Sequence, residues 1–486
     1  MALLTESAWS TKIYSNGWSA GGGEASPVIE PATGNRLGEV GTATAEDVTR
    51  AARTAAQAQE AWAALPYTER AKVLRRAGDL WYEHIDEIRD WLMRESGKIP
   101  PTCDFEVHLV AEEHYQAAAL PALPYGNLLP SELPRLSWSE KVPVGVVGVI
   151  APFNFPAILA SRSVAPALAL GNAVILKPDP RTAVCGGFTL ARIFEEAGLP
   201  PGVFHVLPGG VATGEALVRE PGVGVISFTG STAAGRRVAE LAGTVLKRVH
   251  LELGGNSALV VLDDADLASA VSAGAWGSFL HQGQICMTTG RHLVHASVYD
   301  EYVDRIAEKA THLPVGDPAT GQVALGPIID ERQRDKVHSL VTSTVDAGAK
   351  LAAGGTYEGL FYKPTVLAEV APGMPAYANE VFGPVAPVVR FSSLDEAAKL
   401  AADSEYGLSL GILTGDVSKG LALARRIPTG IVHINDQTVN DEASVPFGGI
   451  RASGTGSRFG GPAANIDAFT ETRWVTLRGD IAPYPF

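Results

Sequence analysis

Cysteine is scarce in this chain of 486 residues, and the three cysteines lie far apart at Cys103, Cys185 and Cys286. They are too few and too scattered for a disulfide framework. No Cys/His cluster has the spacing of zinc ligands. We therefore expect free thiols, no metal centre and a reducing compartment, with the cytoplasm as the location.

Long apolar runs and an excess of basic residues are also absent. No stretch reaches the roughly 18 uncharged apolar residues of a membrane helix, and the N-terminal segment MALLTESAWSTK has no basic part ahead of an apolar one. The net charge of −14 disfavours binding to nucleic acid or to anionic membranes, because both require a basic protein surface. The common dinucleotide fingerprint G-x-G-x-x-G is missing as well.

The composition is that of a well-buried globular protein. The chain contains 46 % hydrophobic residues and 52 glycines, which is typical of a folded protein with many tight turns. At about 150 residues per domain, its length predicts two or three domains.

The sequence pattern of the N-terminal part predicts helices. Thr44 and Asp47 form a capping-box pattern, followed by an apolar periodicity that predicts a helix through about Leu65. A second apolar face begins after Thr68 and predicts one helix that ends at Gly97.

Short apolar strands alternate with helices further along the chain. This pattern indicates a doubly wound parallel sheet. The predicted strands are Gly145 to Ile150, Ala173 to Leu176, Val203 to Leu207, Val223 to Phe228 and Val249 to Leu253, with helices at Thr182 to Ala197 and Thr232 to Leu241.

A second α/β region is predicted from Asn256 to about Gly449, with strands at His292 to His295, Val385 to Phe391 and Gly430 to Asn435. Near the end, Phe469 to Leu477 alternates like a strand. We expect it to pair with an exposed arm at Leu136 to Val142, in the same subunit or in a neighbouring one.

The strongest chemical signal is Cys286, which ends the run FLHQGQIC, together with Glu252 in LELGGNS, 286 − 252 = 34 residues upstream. A thiolate nucleophile and a carboxylate that activates water are the groups needed to oxidise an aldehyde through a covalent intermediate. The thiolate is the reactive form, so we expect a helix N-terminus or nearby donors to lower the pKa of Cys286.

Two further motifs follow predicted strands. Asn154, in APFNFP, carries an amide that can donate to a developing oxyanion. Lys177 ends a strand, and Gly230 and Ser231 lie at the start of a helix, where backbone N–H groups suit a pyrophosphate.

These motifs, together with NEVFGP around Glu380 and Phe382 and with PFGG at residues 446–449, resemble the aldehyde dehydrogenase superfamily in its order along the chain. The resemblance implies an α/β fold with a nucleotide-binding domain (1–120 and 143–252), a catalytic domain (253–450) and a small β oligomerisation arm with the C-terminal tail (121–142 and 451–486). It also implies a homodimer or homotetramer.

The resemblance also implies roles for the site residues. Cys286 would be the nucleophile, Glu252 the base, and Asn154 the oxyanion-hole donor. The nucleotide, NAD or NADP, would be held by Lys177, Gly230, Ser231, Glu380 and Phe382.

Within the superfamily, the runs APFNFP, RSVAPALALGN and KPDPRT look most like benzaldehyde and vanillin dehydrogenases. This implies an aromatic aldehyde as substrate. Many NAD-preferring relatives carry Glu three positions after the lysine, where this chain has Pro180. NADP therefore stays open, with Lys177 and Arg181 as candidate cations for its 2′-phosphate.

Two alternatives remain at this point. A CoA-acylating aldehyde dehydrogenase would release the thioester to CoA, but such relatives commonly lack the base at the position of Glu252. A noncatalytic binding or structural protein could keep the fold without the chemistry. Retention of Cys286, Asn154, Lys177 and Glu380 disfavours that second alternative.

Overall fold

The strands up to residue 252 are short, with three to eight residues each. The computed structural model describes residues 2–486. In chain order, these strands are β1 (Lys12–Ser15), β2 (Trp18–Ala20), β3 (Gly23–Ile29), β4 (Arg36–Thr42), β5 (Gly126–Leu128), β6 (Leu136–Pro143), β7 (Val146–Ile150), β8 (Ala173–Lys177), β9 (Phe204–Val206), β10 (Val225–Thr229) and β11 (Arg248–Glu252).

The remaining strands follow in the second half of the chain. They are β12 (Ser257–Val261), β13 (Thr289–His295), β14 (Lys350–Ala353), β15 (Tyr357–Glu358), β16 (Phe361–Tyr362), β17 (Thr365–Ala368), β18 (Val385–Phe391), β19 (Ser409–Leu413), β20 (Ile431–Ile434) and β21 (Thr470–Leu477).

Helices cover the sheets and fill the N-terminal region. They are α1 (Glu6–Trp9), α2 (Ala45–Ala64), α3 (Tyr67–Glu83), α4 (Ile85–Ser96), α5 (Pro100–Ala119), α6 (Pro156–Ala169), α7 (Thr189–Glu196), α8 (Val211–Arg219), α9 (Thr232–Gly243), α10 (Leu267–Phe279), α11 (Tyr299–His312), α12 (Glu331–Asp346), α13 (Pro375–Ala378), α14 (Leu394–Ala402), α15 (Val417–Ala424) and α16 (Pro462–Phe469).

The first large sheet has the order β11-β10-β7-β8-β9-β1-β2. Its strands from β11 to β9 are parallel, and β1 and β2 add antiparallel pairs at one end. The chain runs outward from β7 through β8 to β9 and then returns to β10 on the other side. The strand order therefore reverses between β7 and β10, which is the position where doubly wound sheets bind ligands.

The second large sheet has the order β14-β17-β18-β13-β12-β19-β20. All neighbouring strands in it are parallel except β14 and β17. The predicted α/β class with two parallel-stranded sheets is confirmed. The residue boundaries proposed for the domains stay a prediction.

The predicted pairing of the C-terminal strand with the arm occurs within the chain. β21 runs antiparallel to β6, from Thr470 opposite Pro143 to Leu477 opposite Leu136. β5 pairs with the other edge of β6 and completes a three-stranded sheet.

The predicted helix from Thr68 to Gly97 is wrong as a single element. It is two helices, α3 and α4, separated at His84, whose φ of −107° and ψ of 18° break the helical path. Gly97 does end α4 in a left-handed conformation, with a φ of 70°. The stretch predicted as one helix from Thr182 to Ala197 begins with a 3-10 turn and a π-helical turn at Val184–Phe188 before α7. The capping box at Thr44 is present as predicted.

Helix α5 was not predicted from the sequence. It is buried on most of its circumference and encloses Glu106, Glu113 and His114. Because these polar side chains are buried among the apolar ones, the helix shows no clear one-sided hydrophobic pattern. In the described residues, 2–486, no helix has the length and apolar character needed to cross a membrane.

Candidate active site

The carboxyl ends of four parallel strands form one edge of the first sheet. The strand register places Ile150 beside Lys177 and Phe228, and Thr229 beside Glu252. Lys177 and Glu252 therefore lie at the same edge, as does the loop after β7 that carries Asn154. These three residues lie far apart in the chain and converge because each lies at, or just after, the carboxyl end of a strand of the same sheet.

A tight turn leads from Glu252 at the end of β11 into the second sheet. The backbone N–H of Gly255 donates to the Glu380 carboxylate at 2.9 Å. A Cβ atom on Gly254 would overlap that carboxylate, and one on Gly255 would overlap the carbonyl oxygen of Cys286. Both positions need glycine, because the Glu380 carboxylate lies against Gly254 and the Cys286 carbonyl oxygen lies against Gly255.

Cys286 follows a left-handed turn between α10 and β13. His281, Gln282 and Gly283 have φ values of 48°, 56° and 65°. Left-handed backbone is uncommon for residues other than glycine and is often found at functional sites. Cys286 keeps an accessible surface, whereas Cys103 and Cys185 are buried.

The Asn154 side chain connects the loop after β7 to the cysteine segment. Its Nδ2 atom donates to the carbonyl oxygen of Gln284 at 2.9 Å. This amide nitrogen carries two N–H groups, and that contact uses one of them. The other is available to an oxygen at the site.

Glu252 is buried, and its two carboxylate oxygens have different surroundings. Oε2 accepts from the Gly449 backbone N–H at 3.3 Å, while Oε1 has no hydrogen-bond partner within residues 2–486. Burial raises the pKa of Glu252 well above its ordinary value, against the opposing effect of the positive charge of Arg458. A carboxyl group with one oxygen free of hydrogen bonds within residues 2–486 can exchange a proton with a group bound beside it.

The expectation that local groups lower the pKa of Cys286 is wrong. Burial, followed by the negative charges of Glu380, Glu252 and Asp441, raises the pKa of its thiol to about 12. Arg162 acts in the opposite direction. The resting thiol is therefore protonated at neutral pH, and a base must remove its proton before it attacks a carbonyl.

The segment after β10 has the features expected of a pyrophosphate site. Ser231 caps α9, since its Oγ accepts from the Ala234 N–H at 3.3 Å. Gly230 and Ser231 are not buried, so the N-terminal end of α9 is accessible. Lys177 is buried at the end of β8, and its Nζ donates to the Pro178 carbonyl oxygen at 3.1 Å. The donors present fit a nucleotide phosphate and ribose.

Glu380 and Phe382 lie on the loop between α13 and β18. The Phe382 ring packs edge-on against Phe153, with ring centroids 5.9 Å apart. Its carbonyl oxygen accepts from Gln333 Nε2 at 2.8 Å. Burial raises the pKa of Glu380 to about 7, against the effect of the Gly255 N–H. This loop thus contacts both the loop after β7, through Phe382, and the turn after β11, through Glu380.

Arg181 is not the free cation expected from the sequence. It donates to both oxygens of Asp179, at 2.9 and 2.8 Å, and to Asp330 at 2.6 Å. Its guanidinium also lies 4.2 Å from the centroid of the Phe153 ring. Because two carboxylates neutralise it, Arg181 is poorly suited to bind a 2′-phosphate.

Arg162 was not predicted as a site residue from the sequence. Arg162 is buried on α6, donates to Glu113 at 3.1 Å and to Asp441 at 2.5 Å, and stacks 4.8 Å from the centroid of Phe447. Its positive charge opposes the rise in the pKa values of both Cys286 and Glu252. The available signal was an arginine within the otherwise uncharged helix PAILASRSVAPALA.

A thiol, a carboxyl group and an amide gathered at the edge of a doubly wound sheet define an enzyme that oxidises aldehydes with NAD or NADP as hydride acceptor. The chain matches the aldehyde dehydrogenase family over residues 18–475, and it belongs to that family.

Similar proteins share nearly the whole chain. A vanillin dehydrogenase from Amycolatopsis sp. is 70% identical over 486 residues, which are 100% of each chain. A benzaldehyde dehydrogenase (NAD⁺) from Pseudomonas putida is 52% identical over 479 residues, 98% of each chain. The crystal structure of a salicylaldehyde dehydrogenase from Pseudomonas putida G7, complexed with salicylaldehyde, superimposes with a TM-score of 0.94 at 36% identity, and the alignment covers 98% of this chain and 99% of that one.

Proposed function

We propose that the chain oxidises an aromatic aldehyde to its carboxylic acid, with Cys286 as nucleophile, Asn154 as oxyanion donor and Glu252 as base. The observation that carries the proposal is the convergence of these three side chains, which come from three separate segments. The aromatic substrate is supported by the names of two similar relatives, a vanillin dehydrogenase and a benzaldehyde dehydrogenase.

The first chemical step is the addition of the thiol to the aldehyde. The Cys286 sulfur bonds to the carbonyl carbon while a base, Glu252 or a water molecule, accepts the thiol proton. The carbonyl oxygen becomes an oxyanion, and the free N–H of Asn154 Nδ2 donates to it. One such donor in a buried site is worth about 3 kcal/mol.

Lys177, Gly230, Ser231, Glu380 and Phe382 would hold the nucleotide. When bound, the nucleotide supplies a hydride acceptor. After the carbonyl carbon has lost its hydride, the acyl group remains on Cys286 as a thioester. Glu252, in its carboxylate form once the thiol proton has passed to solvent, then accepts a proton from water. The hydroxide attacks the thioester, the acid leaves, and the sulfur regains a proton.

The assay that tests this proposal uses a panel of benzaldehydes and aliphatic aldehydes with NAD⁺ and with NADP⁺. Aromatic aldehydes should give the higher kcat/KM. Cys286→Ala should lose at least about 10³-fold of its turnover, because removing a covalent nucleophile leaves only binding and oxyanion contacts. Cys103→Ser and Cys185→Ser are the matched thiol controls and should remain active. Turnover that depends on added CoA would instead favour the CoA-acylating alternative.

We also propose that the protein is a cytoplasmic homodimer or homotetramer that uses the β5-β6-β21 sheet in assembly. Leu128, Leu136, Trp474 and Leu477 are exposed on these strands. Exposed apolar side chains on an edge strand favour pairing with a second copy. Light scattering coupled to size-exclusion chromatography measures the subunit number, and a monomeric mass would contradict the proposal.

A further inference from the structure

A buried lysine lies behind the Asn154 loop, at the junction of α4 and α5. The Lys98 side chain has no solvent exposure, and its Nζ atom lies 3.3 Å from Glu106 Oε2, whose side chain is equally buried. Nζ also lies 4.3 Å from the centroid of the Phe155 ring. A charge enclosed in this way is costly unless its partners hold it.

The polar contacts of Lys98 point toward the site. Nζ donates to the carbonyl oxygen of Asn154 and lies 3.4 Å from Nε2 of His281 and from Oγ of Ser96. Lys98 therefore contacts the backbone of the oxyanion loop and the left-handed turn that precedes Cys286.

The groups around Lys98 attach the same two segments. Glu106 Oε1 accepts from the backbone N–H groups of Ala157 and Ile158, at 2.9 and 3.2 Å, at the start of α6. Gln282 Nε2 donates to the carbonyl oxygen of Gly97 at 2.9 Å. Contacts from the end of α4 and the start of α5 thus hold the Asn154 loop and the turn before Gln284. These are the two segments that the hydrogen bond from Asn154 to Gln284 joins.

We propose that Lys98 is a positioning residue that fixes Asn154 relative to Cys286. It acts through the Asn154 backbone and touches neither substrate nor nucleotide. The inference rests on the proposed oxyanion role of Asn154. A displacement of about 1 Å in a catalytic donor can cost roughly 100-fold in rate, so the Lys98 contact has a measurable consequence.

A double-mutant cycle with Asn154→Ala tests the proposal. Lys98→Met combined with Glu106→Gln removes both charges together, because a single change would leave the other charge buried and unpaired. The glutamine introduced by the second change would still offer its Oε1 to α6. The readout is acylation of Cys286 by p-nitrophenyl acetate, in which the sulfur displaces p-nitrophenolate from the acetyl carbon and the thiol proton passes to a base. This reaction passes through an oxyanion and requires no nucleotide.

The expected result depends on the background. With Asn154 present, the paired change should slow acylation by about 10-fold to 100-fold. With Asn154→Ala, the same change should cost less than about 3-fold, because the group it positions is gone. Equal factors in both backgrounds, or no loss with Asn154 present, would overturn the role of Lys98. An Asn154→Ala variant that acylates at the normal rate would instead remove Asn154 from the proposed function, and the inference with it.

Two further variants separate positioning from folding. Lys247→Met removes a lysine whose Nζ donates to the carbonyl oxygens of Val218 and Glu220, both at 2.7 Å, outside the site. It should lower the melting temperature and leave acylation unchanged. If the paired variant does not fold, Lys98→Arg keeps the charge but changes the geometry, and the same cycle applies with the same deciding outcomes.

Discussion

Burial, and then the negative charges of Glu380 and Glu252, raise the pKa of the Cys286 thiol to about 12. The free enzyme therefore keeps its nucleophile in the unreactive protonated form. Since Glu380 is one of the residues proposed to hold the nucleotide, a contact that reduces its negative charge would also make the thiol easier to ionise. On this proposal, cofactor binding and thiol reactivity are coupled through one carboxylate.

Glu380→Gln should make the thiol more reactive in enzyme without nucleotide. Removing a negative charge stabilises the thiolate, so the pH midpoint for alkylation by iodoacetamide should fall, and the rate at pH 8 should rise by roughly 3-fold to 10-fold. Stopped-time alkylation followed by mass spectrometry measures it. Glu358→Gln, at an exposed glutamate on β15, is the control, and an unchanged midpoint in Glu380→Gln would contradict the coupling.

Glu252→Gln should separate acylation from hydrolysis. If Glu252 acts mainly on water, one equivalent of NAD(P)H per site should still form in a rapid burst, and steady turnover should fall by about 10²-fold to 10⁴-fold. Rapid mixing records the burst, and mass spectrometry of quenched enzyme should find the acyl group on Cys286. Loss of the burst would assign Glu252 to thiol deprotonation as well, and normal turnover would exclude it as the base.

Among the elements, the turn at Gly254 and Gly255 lies directly against two of the site residues. Its two glycines face different groups, the Glu380 carboxylate and the Cys286 carbonyl oxygen. A Cβ atom at the first position would thus meet the carboxylate proposed to hold the nucleotide, and one at the second would meet the backbone of the proposed nucleophile.

Gly254→Ala and Gly255→Ala should therefore produce different kinetic defects. The first displaces a side-chain carboxylate and should raise the KM for nucleotide by about 10-fold, with acylation by p-nitrophenyl acetate nearly unchanged. The second meets the backbone and should slow acylation by about 100-fold. Steady-state and stopped-flow measurements on both variants check this, and identical defects would refute the division.

Some of the elements and site residues could be predicted from the sequence, and others could not. Strands β7, β8, β10 and β11 were predicted because buried parallel strands are continuous apolar runs. Cys286, Glu252, Asn154 and Glu380 were identified by the motifs around them. Helix α5 was missed because its buried glutamates obscure its apolar face, and Lys98 was missed because its partners are set by tertiary packing. A lysine near a helix end is usually solvent-exposed, and only the fold shows that this one is enclosed.

At the scale of the whole molecule, the last strand closes the arm sheet. β21 pairs with β6 along its full length, whereas residues 478–486 lie beyond the strand and are mostly exposed.

Two C-terminal truncations should therefore behave differently. Removing residues 478–486 should leave subunit number and activity unchanged. Removing residues 470–486 exposes the edge of β6 and should lead to a lower subunit number or to aggregation, because an unpaired edge strand seeks another partner. Light scattering reports the mass of each variant. A normal assembly after the larger deletion would show that the arm does not require β21.

The contacts that assemble the site join distant parts of the chain. Asn154 and Gln284 are 130 residues apart, Gly255 and Glu380 are 125 apart, and Glu252 and Gly449 are 197 apart. Contacts of such long sequence separation form late and slowly during folding. Enzymatic activity should therefore return only in the final phase of refolding, after the helical signal has largely recovered, and a chain still being synthesised should gain it only once nearly all residues have left the ribosome.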